Sequence, residues 1–92
     1  MGFGVKFNWV LQIDPKSSLE KESIHGFSKD GNRIFPIKTP IDLINSNREA
    51  LAKISILWFK NIEKETTGEF KVLKVYTGEE KRILTQYWIE NQ

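Results

Sequence analysis

Apolar and polar residues alternate strictly from residue 3 to 13, with Phe3, Val5, Phe7, Trp9, Leu11 and Ile13 in one phase and Gly4, Lys6, Asn8, Val10 and Gln12 in the other. Because successive strand residues point to opposite faces, this pattern predicts a long strand with one buried and one wet face. Asp14-Pro15 ends it, and the polar run from 14 to 23, with Leu19 as its single large apolar residue, predicts a surface loop. Asp30-Gly31 then stands between two short strand-like pieces, 24 to 29 and 33 to 35, and predicts a tight hairpin there.

A second long strand is predicted over "ALAKISILWFKNI", with Ala52, Ile54, Ile56 and Trp58 in phase. Its "ILWF" stretch is apolar on both faces, which calls for burial on both sides or a bulge that shifts the phase. After the charged loop "EKETTGE", the strand "FKVLKVY" slips phase from Phe70 and Val72 to Leu73 and Val75, again the mark of a bulge or a barrel corner. The C-terminal "TGEEKRILTQYWIENQ" reads as a helix of about three turns. Thr77 and Glu80 have capping-box spacing, and Ile83, Leu84, Tyr87 and Trp88 fall on one face, expected to pack on the sheet.

The stretch "GNRIFPIKTPIDLIN" is harder to place, since Pro36 and Pro40 interrupt an apolar run. Both prolines have the parity of Lys38 and Asp42, while Phe35, Ile37, Thr39, Ile41 and Leu43 have the other. Both missing N–H donors therefore fall on one side. The expectation is an edge or crossover segment that sends its apolar side chains inward and blocks the outer edge with Pro, Lys and Asp.

These elements add up to a mostly β fold: a small antiparallel β-barrel or strongly curled sheet of about five to six strands with one C-terminal α-helix. Ninety-two residues suit a single domain spanning 1–92. Hydrophobic residues at 39% and charged residues at 28% fit a globular chain rather than a disordered one. The chain has no cysteine, so disulfides, thiolate metal sites and a cysteine nucleophile are excluded, and a cytoplasmic protein is expected. The N-terminus lacks the basic leader and apolar run of a signal peptide, and Lys6 stands where a myristoylation signal needs Ser or Thr. No apolar run approaches the roughly 18 residues of a membrane span, so no membrane role is expected.

Candidate chemistry is sparse. His25 is the single histidine and lies in a predicted strand, and no serine has the context of an activated nucleophile. The carboxylates are scattered through loops, and Glu79 and Glu80 are explained by the helix start. No glycine-rich phosphate loop and no calcium-type loop is present, so neither a small-molecule cofactor nor a metal is expected and no catalytic residue is assigned. An enzyme built on loop carboxylates remains a third possibility.

Two binding readings fit better. Lys6, Lys53, Lys71 and Lys74 occupy phases opposite most apolar strand residues, Arg33 and Lys38 flank the proline stretch, and a basic sheet face would meet nucleic acid. Trp58 and Phe59 are adjacent and face opposite ways in an extended strand, so one could serve as a stacking platform. The net charge of +2 argues only weakly for a polyanion, and lysines on a wet sheet face are also ordinary solvation. Alternatively Trp58, Tyr87 and Trp88, among eleven aromatic residues, form an apolar patch for a protein partner or a second copy.

The segments "RIFPIKTPIDLI", "EALAKISI" and "TTGEFKVL" resemble a family of short bacterial proteins that carry a domain of unknown function. The similarity runs from about Arg33 to Leu73. It implies a small, cytoplasmic, β-rich protein and brings no catalytic residues. The layout of a small barrel with a closing helix is also similar to RNA-binding barrels of the PUA and ASCH type, a likeness of fold alone.

Overall fold

The computed structural model describes residues 7–92 and runs in the order β1 (Val10–Gln12), β2 (Ile24–Asp30), β3 (Pro40–Ile44), β4 (Ala50–Ile62), β5 (Glu65–Val75) and α1 (Gly78–Glu90). The five strands form one curled half-barrel sheet in the order β1-β3-β4-β5-β2. All pairings are antiparallel except β1 with β3, which is parallel. Among the described residues the sheet is not closed, because β1 and β2 are its two edges.

The inner, concave face carries Leu11, Phe27, Ile41, Ile54, Phe70 and Val72, all buried. Phe35 joins them from the segment after β2, with its ring edge-on to Phe27 at 5.6 Å. Burying such side chains is the main favourable term in folding, at about 25 cal/mol per Å² of apolar surface. Leu19 and Ile13, from the loop between β1 and β2, pack against this core.

Several expectations change. Of the predicted strand from 3 to 13, residues 3–6, Phe3 and Val5 among them, lie outside the described residues, and within 7–13 the strand is Val10–Gln12. Leu11 is buried but Trp9 is 57% exposed. No hairpin forms at Asp30-Gly31: β2 pairs with β5, and Gly31, at φ 89°, turns the chain away from the sheet. The two-residue hairpin is at Glu63 and Lys64 instead, which both take positive φ between the partners Ile62 and Glu65. Positive φ at both central residues is the requirement of the turn whose twist matches antiparallel strands. "EKETTGE" is therefore a turn running straight into β5.

The proline segment is also not an edge. β3 pairs with β1 on one side and β4 on the other. Pro40 opens the strand, where a missing N–H is tolerated, and β1 engages only from Asp42 onwards. Residues 36–39 lie ahead of the strand with one bridge, Ile37 to Ile56, and a positive φ at Lys38. Ile37 is consequently exposed rather than in the core.

At both phase slips, of the alternatives left open, the structure has a bulge. Lys53 pairs with Lys74 and Ile54 with Val72, which leaves Leu73 as the extra residue, while Ile56 pairs with Phe70 and Trp58 with Glu69, which leaves Leu57.

The helix α1 packs on the opposite, outer face at the end of β4, with Thr85 over Ala50 and Trp88 over Asp42. Lys81, Leu84, Thr85 and Trp88, spaced three and four apart, are its half-buried stripe. Ile83 and Tyr87, placed on the packing face by sequence, are instead about half exposed. The Thr77 side chain makes no capping hydrogen bond, and Glu80 pairs with Lys74 at 2.8 Å rather than closing a capping box.

Candidate functional site

The Leu57 bulge decides what the outer face presents. Without it, residue 58 would continue the inward phase of Ile54 and Ile56. With one residue added, Trp58 turns outward and Phe59 packs against the core. The bulged backbone lies directly over Gly68, where an added Cβ would stand 2.2 Å from the Trp58 carbonyl oxygen and 2.9 Å from Phe59 Cα. Gly68 is thus required by the close approach that exposes Trp58.

Trp58 is 43% exposed, and its indole Nε1–H donates to Glu69 Oε1 at 2.8 Å from the paired position on β5. On the same face, Lys60 follows Trp58 along β4, and Lys71 follows Glu69 along β5 opposite Ser55. Lys53 and Lys74, paired across the same two strands, lie further towards α1. Lys53 meets Asp42 at 3.3 Å and Lys74 meets Glu80. Neither Lys60 nor Lys71 has a carboxylate partner among the described residues. Exposed ion pairs in water hold their partners weakly, so Lys74 can turn to another anion at little cost.

Of the cations marked in the sequence, Lys6 lies outside the described residues, and the fold gathers Lys53, Lys71 and Lys74 on one face. Arg33 lies elsewhere, with Nε donating to the Asp30 carbonyl and its backbone N–H to Thr66 Oγ1, both at 2.9 Å. Lys38 is in the turn ahead of β3. Lys60 was missed because its place in the "WFKN" run has no fixed phase until the bulge is located. Of the aromatic trio, Tyr87 and Trp88 meet edge-on with ring centroids 4.9 Å apart, and Trp58 does not join them. Trp58 is five residues along β4 from Lys53, Tyr87 stands half exposed on the helix, and Trp88 turns inward.

Trp88 is part of a second polar cluster around Asp42. This buried carboxylate accepts the Tyr76 hydroxyl on Oδ1 at 2.5 Å and the Trp88 indole N–H on Oδ2 at 2.9 Å, with Lys53 beside it. Burial, and then the bond to Asp42, pushes the Tyr76 hydroxyl far above the usual tyrosine range. All donors here are committed to the one carboxylate, an arrangement that fixes the helix rather than one that moves a proton.

A third feature is the seam between β1 and β2. A cavity of about 390 Å³ is lined there by Ile13, Ser17, His25, Phe27 and Phe70 among others. His25 stacks on Phe70 at 5.5 Å and lies between Ser23 Oγ at 2.8 Å and Ser17 Oγ at 3.3 Å. Ser23 gives its own proton to the Glu20 carbonyl, so it accepts from the imidazole and is not activated by it. Lys29 crosses the seam to the Gln12 carbonyl at 2.5 Å, and desolvation lowers its pKa. Among the described residues no group of three or more His, Asp or Glu side chains could hold a metal ion, and no helix is long and apolar enough to cross a membrane.

No family model matches the sequence, and no curated protein matches it. The structure is similar to the crystal structure of protein ytmB from Bacillus subtilis, with a TM-score of 0.65 and 25% identity. The likeness covers 83% of this chain and 95% of that one. It shows that the two small proteins share a fold.

Proposed function

We propose that the protein is a non-catalytic, cytoplasmic module that binds single-stranded nucleic acid on the outer face of its sheet. The observation that carries this reading is the half-exposed indole of Trp58 flanked by Lys60 and Lys71, with Lys53 and Lys74 on the same face. A base stacked on an aromatic side chain contributes about 1–3 kcal/mol whatever its identity. Lysines spaced along the two strands give the adjoining phosphates their countercharge. Glu69 and Glu65 on the same strand temper the potential, in keeping with weak rather than tight binding.

Anisotropy of labelled RNA and single-stranded DNA oligomers, titrated at low and moderate salt, tests the reading. Neutralising about three phosphates gives a log–log salt slope of about −2. Trp58→Ala should weaken binding by at least roughly fivefold, the lower end of a stacking contribution. Absence of binding at micromolar protein in low salt would end the proposal.

A further inference from the structure

The row of residues that crosses the sheet at Trp58 is Trp58, Glu69 and Gly26, on β4, β5 and β2 respectively. Glu69 Oε1 is engaged by the indole, and its carboxylate makes no other hydrogen bond among the described residues. Oε2 is thus an acceptor held at the edge of the platform.

Gly26 completes the row without a side chain. An added Cβ would meet only the Gly68 carbonyl, at an ordinary 3.8 Å, and Gly26 has no positive φ. Neither packing nor backbone geometry of this chain asks for glycine there. A glycine inside a strand lowers its stability, and such a residue often marks where a ligand approaches the backbone. Gly26 leaves a notch beside Glu69, bordered by Ile24 and Lys71 on one side and by Ser28 and Thr67 on the other.

Resting on the nucleic-acid reading above, we infer that Glu69 reads the base stacked on Trp58 and selects cytosine and adenine, which carry an amino group at N4 or N6, over uracil and thymine, which carry a carbonyl oxygen at O4. An ionised carboxylate only accepts hydrogen bonds. The cytosine N4 and adenine N6 amino groups donate to it, as cytosine N4 does to Glu or Asp carboxylates in groove recognition. Uracil and thymine place O4 where that amino group would be, so two acceptors meet and the contact is repulsive.

The experiment compares binding of 12-mer oligo(C), oligo(A) and oligo(U) RNA by the wild-type chain, Glu69→Gln and Gly26→Val, with circular dichroism confirming the fold of each. The wild type should bind oligo(C) and oligo(A) at least about fivefold more tightly than oligo(U). Glu69→Gln keeps an acceptor for the Trp58 indole but also offers a donor, and should bring oligo(C) and oligo(U) within about twofold. Gly26→Val fills the notch and should weaken oligo(C) and oligo(A) more than oligo(U). Equal wild-type binding of all three, or a preference that survives Glu69→Gln, overturns the inference while leaving the binding reading intact. Binding to none of them overturns both.

Discussion

Trp88, near the end of the C-terminal helix, donates its indole N–H to Asp42 of the sheet across 2.9 Å. The helix has no fully buried residue, so this bond belongs to a set of polar contacts that hold it in place. Ala50 donates its backbone N–H to Thr85 Oγ1 at 3.0 Å, and Lys81 pairs with Glu49 at 3.2 Å. The same carboxylate orients Lys53, which begins the row of lysines running towards Trp58. The helix dock and the candidate binding face therefore share one residue.

Asp42 accepts from two donors, pairs with Lys53 and offers no donor of its own, which makes its charge and geometry hard to replace. In Asp42→Asn, one carboxylate oxygen becomes an N–H group facing Tyr76, Trp88 or Lys53. A buried donor left without an acceptor costs about 1–3 kcal/mol, and that loss is expected in urea denaturation. Trp88→Phe keeps the ring but loses the indole bond, with an expected loss of about 1 kcal/mol. If Asp42→Asn unfolds at the wild-type midpoint, the cluster does not hold the helix.

Tyr76 adds a pH dependence. Its hydroxyl is raised above the ordinary value by burial first and by Asp42 second. The unfolded chain loses this proton near pH 10 while the folded chain retains it. The contribution is therefore fully present below about pH 10 and is lost as pH rises, by up to about 1.4 kcal/mol per unit. Urea midpoints measured from pH 8 to 11 should fall above pH 10. The fall should be visibly shallower in Tyr76→Phe, which leaves lysine titration as the common background.

The overall fold was legible because alternation over 50–62 and 70–75 and the helical period at the C-terminus are local signals. Even the two bulges on β4 and β5 showed as phase slips. What was not legible depends on partners distant in sequence. Nothing around Pro40 announces that three residues near the N-terminus will pair with β3 in parallel. Nothing around Asp30-Gly31 says that β2 will find β5, over thirty residues on, in preference to its own neighbour. The site was half legible. Lys53, Lys71 and Lys74 could be read from parity, but the exposure of Trp58 follows from the bulge over Gly68, and a bulge position is a property of two strands.

Gly68 should consequently be the least replaceable glycine on the sheet. Gly68→Ala drives a methyl group into the Trp58 carbonyl and Phe59 backbone, with Phe27 at 3.0 Å on a third side. Backbone cannot yield as a flexible side chain does, and overpacking costs of about 1–3 kcal/mol or more are expected. Gly31→Ala meets no atom but must hold φ 89°, so its cost is the left-handed strain of roughly 1–2 kcal/mol alone. Thermal unfolding should rank Gly68→Ala below Gly31→Ala, and Trp58 fluorescence should shift only in the former. The reverse ranking would mean that the bulge relaxes away from β5 at low cost.

Arg48 provides a last test, because it acts through its side chain and its backbone with opposite sign. The last turn of α1 has no basic residue of its own, and Arg48, from the β3–β4 turn, supplies the cation. Its Nε donates to the Trp88 carbonyl at 2.6 Å and Nη2 to the Asn91 carbonyl at 3.3 Å. A cation at a helix C-terminus contributes about 0.3–1 kcal/mol, and more where it is partly buried. Arg48 makes these bonds while holding φ at 63°, a conformation that costs an L-residue roughly 1 kcal/mol and glycine almost nothing. Arg48→Ala removes the bonds and keeps the strain, whereas Arg48→Gly removes both. The glycine variant should therefore be the more stable of the two by about 1 kcal/mol in urea denaturation, against the usual order of these residues. Both should lose near-ultraviolet circular dichroism from Trp88. Wild-type stability in Arg48→Ala would show that the helix end needs no cation.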